Sequence, residues 1–157
     1  MLIDLVEEFF TGEDWEYQRL DRRDVLRLGF TGASGNWTCY AQTREAQRQV
    51  VFYSICPLRA PDGKRMLMAE FLTRANYGLI LGNFELDLDD GEIRYKTSLD
   101  IEDTELTPML LSHIVYANVT SMDRYLPGII AVIAGSQTPL QAVTSIDEVR
   151  EPDLSKS

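Results

Sequence analysis

The sequence predicts an α+β domain, an antiparallel sheet built from hairpins with helices before, between and after them, in the order α-β-β-β-α-β-β-α-α. Two observations carry this expectation. Apolar residues recur at helical spacing near the N-terminus, in the middle and toward the C-terminus, and between these stretches the period drops to two. Clusters of Gly, Asp and Pro fall where the period changes.

Leu2, Leu5, Val6 and Phe9 lie on one face of a short amphipathic helix that Gly12 ends. From Val25 the pattern alternates. Leu26, Leu28 and Phe30, the turn Gly32-Ala33-Ser34-Gly35, and Trp37, Cys39 and Ala41 form a hairpin. A third strand covers residues 50–56 and stops at Pro57, which cannot donate to a ladder. A largely buried helix is expected over residues 63–81, with Met66, Leu67, Ala69, Phe71, Leu72 and Ala75 inward. Phe84, Leu86 and Leu88 alternate up to Asp90-Gly91, and Ile93, Tyr95, Thr97 and Leu99 alternate after it, a second hairpin. Thr107-Pro108 caps a helix that Pro127-Gly128 should interrupt before a further apolar helix to about Gly135, and Thr138-Pro139 caps a last helix ending near Ile146.

The turns imply registers. With a two-residue turn at Asp90-Gly91, Leu88 faces Ile93, Leu86 faces Tyr95 and Phe84 faces Thr97, while Asp87 meets Arg94 and Glu85 meets Lys96 on the solvent side. In the first hairpin Phe30 faces Trp37, Leu28 faces Cys39 and Leu26 faces Ala41, so Arg27 and Tyr40 pair on the opposite side. A loop over residues 44–48 would set Ala41 against Val51 and bring Phe52 beside Tyr40. Arg27, Tyr40 and Phe52 then form a candidate protein-binding row of the arginine–aromatic type enriched at interfaces. The alternative is that a helix of the same chain covers this row. Val50-Val51-Phe52-Tyr53 is apolar on both faces and needs cover on both, from a second copy of the chain or from its own helices.

At 157 residues and 45% hydrophobic, the chain suits one domain, expected over residues 1–149, with a polar and mobile tail over residues 150–157. The apolar run over residues 128–134 is far short of the roughly 20 residues that span a bilayer. The N-terminus has acids and no basic leader, so a cytoplasmic location is expected, and two sequon-like triplets at Asn36 and Asn118 are chance matches. Net charge −10 disfavours nucleic acid and anionic membranes as partners. The charge is uneven: −6 over residues 1–16, +5 over residues 17–82 and −9 over residues 83–157. The basic middle either is neutralised by the acidic ends or steers an acidic partner.

No cofactor or metal is expected. Gly63-Lys64 lacks the rest of a phosphate loop, Gly29, Gly32 and Gly35 are turn glycines, and in the Asp87–Glu92 stretch Leu86 and Leu88 stand where a calcium loop needs carboxylates. Ser34 lacks the flanking glycines of a nucleophile elbow; His113 has no carboxylate at helical spacing and is expected to be structural. Cys39 and Cys56 match no zinc or redox spacing and are expected to be reduced and partly buried.

The element order, with Asn76-Tyr77-Gly78, Gly82-Asn83-Phe84-Glu85-Leu86-Asp87 and Asp90-Gly91-Glu92-Ile93-Arg94-Tyr95, resembles the YbjN family of bacterial proteins over residues 2–146. That family is similar in fold to type III secretion chaperones. The resemblance implies a compact, often dimeric domain without enzymatic activity, linked to sensing or stress regulation. The expected function is thus a non-catalytic interaction domain, a homodimer that regulates or chaperones another protein. The alternative is a small-molecule-binding or enzymatic domain with its site in a helix–sheet pocket.

Overall fold

The computed structural model describes residues 1–147. The tail expected over residues 150–157 lies outside the described residues. The elements are α1 (Leu2–Gly12), β1 (Tyr17–Arg19), β2 (Val25–Thr31), β3 (Asn36–Arg44), β4 (Gln49–Ile55), a 3-10 turn at Asp62–Lys64, α2 (Arg65–Tyr77), β5 (Asn83–Leu86), β6 (Ile93–Asp100), α3 (Pro108–Ala134) and α4 (Pro139–Asp147). The strands form one six-stranded sheet in the order β1-β2-β3-β4-β6-β5, antiparallel throughout. The α+β class and the expected order hold. The short edge strand β1 is added to them; three residues are too few to show a period in the sequence.

Two helices differ from expectation. α2 ends at Tyr77, where the chain turns off through Gly78 and Leu79, four residues before Leu81. α3 runs unbroken through Pro127. The proline removes the bond to the carbonyl of Asp123, a loss that ends a helix lacking other support. Here Tyr125, Leu126, Ile129 and Val132 are all buried on both sides of the proline. Gly128 lets α2 and α4 approach so closely that a Cβ there would lie 2.6 Å from the Phe71 ring and 2.7 Å from Ile146. Tertiary packing, which supplies most helix stability in proteins, keeps α3 whole. The caps are as expected: Thr107 Oγ1 accepts from Leu110 N–H at 3.2 Å, and Thr138 and Gln141 form a reciprocal box at 2.9 and 3.1 Å.

The hairpin β2–β3 has the expected register, with Leu26, Arg27, Leu28 and Phe30 opposite Ala41, Tyr40, Cys39 and Trp37. The hairpin β5–β6 is two residues out: Leu86 faces Ile93, Phe84 faces Tyr95 and Glu85 faces Arg94. Leu88 does not face Ile93 but is exposed, and Asp87 does not pair with Arg94. The aspartates cause the shift by bonding the backbone that the ladder would have used. Asp87 Oδ1 accepts from Asp89 N–H at 2.8 Å, and Asp90 Oδ1 accepts from Glu92 N–H at 2.9 Å. Gly91 closes the wider loop at φ +80°, where a Cβ would sit 2.1 Å from the Ala60 carbonyl oxygen. A slip of two keeps the side chains of β5 and β6 on their expected faces, and only Leu88 is lost from the core side.

Between β3 and β4 the slip is one residue. Arg44 pairs with Gln49, leaving Glu45 to Arg48 as the loop, and Ala41 faces Phe52 where Val51 was expected. Glu45 fixes the shorter loop: its Oε2 accepts from Leu2 N–H at the start of α1 at 2.8 Å, and its Oε1 lies 3.6 Å from Arg48 Nη1. Every side chain of β4 therefore sits on the face opposite to that expected.

The helices pack on one face. Leu26, Leu28, Trp37, Cys39, Ala41, Val50, Phe52, Ile93 and Tyr95 are buried there, and the residues between them are not. Phe10 of α1 stacks 6.1 Å from Phe52, and Tyr125 of α3 lies 5.6 Å from Phe84 and 6.4 Å from Phe71. At the centre the buried Asn118 of α3 donates to Phe52 O at 2.9 Å, Tyr95 O at 3.1 Å and Thr97 Oγ1 at 3.2 Å, while Thr97 Oγ1 donates to Ile114 O at 2.8 Å. Asn118→Ala, which deletes these donors, is expected to lower the unfolding free energy by about 1–3 kcal/mol, measured from urea unfolding midpoints.

Candidate functional site

The second face of the sheet carries no helix of the described chain. Pairing across the strands sets one transverse row along it: Gln18, Arg27, Tyr40, Tyr53, Lys96 and Asn83. Two tyrosines thus stand side by side with a cation at each end. On one side of the row run Val25, Gln42 and Val51; on the other, Thr38, Ile55 and Arg94. The Arg94 guanidinium lies 4.4 Å from the centre of the Tyr53 ring, a cation–π contact that holds the ring in place. Two hollows of about 430 and 420 Å³ open on this face and meet at Gln42 and Tyr53.

Glu85 organises the charges at the β6 end, accepting from Arg94 Nε at 2.8 Å and from Lys96 Nζ at 2.9 Å. Desolvation pushes its carboxyl up; the hydrogen bonds and positive charges of Lys96 and Arg94 outweigh this and hold it below the usual carboxylate range. Arg27 donates to Gln18 and Arg44 to Gln49, both neutral amides.

Of the row expected from sequence, Arg27 and Tyr40 pair on this face. Phe52 does not join them: it points into the core with 1% of its surface exposed. Tyr53 takes the place beside Tyr40, because the loop before β4 is one residue shorter than expected. Sequence reasoning missed Tyr53, Arg94 and Lys96. The available signal was the second alternating set, Val51, Tyr53 and Ile55, which is as apolar as Val50 and Phe52. Among the described residues the helices cover one face of β4, and its alternate side chains are only partly buried.

The remaining reactive side chains lie elsewhere. Cys39 and Cys56 are free and buried, and burial pushes both thiols up to about 11. His113 is exposed on α3. Among the described residues no cluster of three His, Cys, Asp or Glu side chains is placed to hold a metal ion, and no helix is long and apolar enough to cross a membrane.

A family model described as "putative bacterial sensory transduction regulator" matches residues 2–131. The chain belongs to the YbjN family. The crystal structure of YbjN from E. coli aligns with a TM-score of 0.62 at 11% identity, covering 85% of this chain and 90% of that one. A chain of the HopA1–SchA chaperone–effector complex aligns at 0.52 and 14% identity, covering 76% and 88%. A chain of the ExsC–ExsE complex aligns at 0.54 and 11% identity, covering 80% and 91%. At such identities the likeness is one of fold. No curated protein matches the sequence.

Two outcomes follow for this YbjN-family chain. Glu85 has a depressed folded pKa, so its contribution to stability is full above the usual carboxylate pKa and is lost as pH falls through the folded value. Glu85→Gln should therefore flatten the acid limb of a stability–pH curve measured by denaturant unfolding. Neither cysteine should react with a chromogenic disulfide reagent at neutral pH until denaturant is added, when both should react.

Proposed function

We propose that this YbjN-family chain is a non-catalytic, cytoplasmic protein-binding domain, a regulator or chaperone-like binder that receives a segment of another protein on the uncovered face of its sheet. The observation that carries the proposal is the apolar and aromatic strand β4, covered on one side only by the helices of the described residues, with Tyr40, Tyr53 and the Arg94 guanidinium on the other. Tyrosine and arginine supply large, rigid contact area at little entropic cost, which makes them the common anchors of interfaces. The similar fold in a chaperone–effector complex supports the reading.

The test is capture of partners from the native cell with tagged wild-type chain and with the double variant Tyr40→Ala/Tyr53→Ala. Loss of two anchors is expected to weaken retention of the specific partner by about tenfold or more, with the melting temperature little changed. Equal retention by both proteins would overturn the proposal.

A homodimer belongs to the same proposal. It is supported by the exposed Ile80 and Leu81, which lead into β5, a strand at the edge of the sheet. Light scattering should give twice the 17.9 kDa of one chain, and Ile80→Asp should return the monomer mass. A wild-type chain that scatters as a monomer at micromolar concentration would end the dimer reading.

A further inference from the structure

On the uncovered sheet face, resting on the reading above, we infer that the occupant is an extended acidic segment of another protein, whose carboxylates pair with Arg27 and Arg44 while its apolar side chains lie on Tyr40 and Val51.

The first support is the charge of the face. Its strand positions hold Arg27, Arg44, Arg94 and Lys96 against Glu85 and Asp100, which is four positive and two negative, or +2, in a chain of net −10. The rest of the chain therefore carries −12. The strand positions are thus more basic than the rest of the molecule, with Glu92 and Glu16 at the rims beside Arg94 and Arg27, and a positive surplus of this kind steers and registers an acidic partner.

The second support is which charges are already satisfied. Glu85 holds Arg94 and Lys96, and Asp100 accepts from Gln49 Nε2 at 3.3 Å. Arg27 and Arg44 meet only the neutral amides of Gln18 and Gln49, and neither has an ion pair with a described carboxylate. Guanidinium groups form their strongest hydrogen bonds with carboxylates, so these two are the open positions of the face.

Spacing and floor suit an extended chain. Arg27 faces Tyr40, and Arg44 lies four residues further along β3. At about 3.3 Å per residue and 4.8 Å between strands, their Cα atoms are roughly 14 Å apart. That separation matches two carboxylates four positions apart on one side of an extended segment. Val25, Tyr40 and Gln42 lie between them and Val51 flanks Gln42 on β4, a partly apolar floor. A second copy docking face to face would oppose two positive surpluses. A nucleic acid would run its phosphates past these strand positions onto the −12 remainder, where repulsion opposes binding.

The test uses polymers of known chemistry on the whole chain. A fluorescent glutamate–tyrosine copolymer is titrated at low ionic strength and read by anisotropy, beside a lysine–tyrosine copolymer and an oligothymidine. The acidic copolymer should bind most tightly, and added salt should weaken it. Arg27→Glu/Arg44→Glu should weaken it by about tenfold or more, with unchanged circular dichroism. The control Arg22→Glu/Arg23→Glu, exposed between β1 and β2, should leave it within about threefold. Equal losses in the two variants, or tighter binding of oligothymidine or of the basic copolymer, would overturn the inference. If that happens while Tyr40→Ala/Tyr53→Ala still lowers partner capture, the acidic occupant falls and the protein-binding face stands. Capture indifferent to the tyrosines brings down both.

Discussion

The amide of Asn118 and the hydroxyl of Thr97 join α3 to the centre of the sheet, and the rest of the architecture depends on that junction. The acceptors of Asn118, Phe52 O and Tyr95 O, belong to β4 and β6, the two strands where the N-terminal meander meets the C-terminal hairpin. Buried N–H groups are costly unless bonded, and those of the Asn118 amide find their acceptors on these two strands, which ties α3 to one crossing of the sheet, although the amide oxygen has no partner. With α3 over the seam, α1 fills one flank through Phe10 and Phe52, and α2 and α4 fill the other through Phe71, Tyr125 and Gly128. The four helices of the described residues are spent on one face. The other is left with a tyrosine pair and its flanking cations.

Much of this was legible in the residues, and the exceptions have physical causes. The first hairpin came out in register because Leu26, Leu28 and Phe30 alternate against Trp37, Cys39 and Ala41, leaving one choice of inward face. β4 had no such guide. Val50, Val51, Phe52 and Tyr53 are apolar on both faces, so only the loop length could set the register, and that length depends on Glu45 reaching Leu2 across 43 residues of sequence. The β5–β6 loop widened because aspartate side chains compete for backbone N–H groups, and Pro127 failed to break α3 because packing on both sides outweighs one lost bond. The candidate site was accordingly half legible: Arg27 and Tyr40 were paired correctly, while Phe52 stood in for its neighbour Tyr53.

The two faces of β4 show how the structure serves the proposed function. Phe52 holds the strand to the helical layer, and Val51, Tyr53 and Ile55 present aromatic and aliphatic surface outward on a rigid backbone. Arg94 stacked on Tyr53, itself held by Glu85, limits the freedom of that surface before any partner arrives. Binding then orders few side chains of this chain, which reduces its entropic cost. The buried thiols and the exposed His113 lie away from this face and take no part in it.

The central claim is that partners dock on the uncovered face, and site-specific photo-crosslinking in the native cell tests it most directly. A photoreactive phenylalanine derivative is placed at Tyr53, at Gln42 and, as a control on the helical layer, at Leu67 of α2, which is exposed. Irradiation should yield a discrete adduct with another protein from Tyr53 and Gln42 and none from Leu67. Adducts from Leu67 alone would contradict the account.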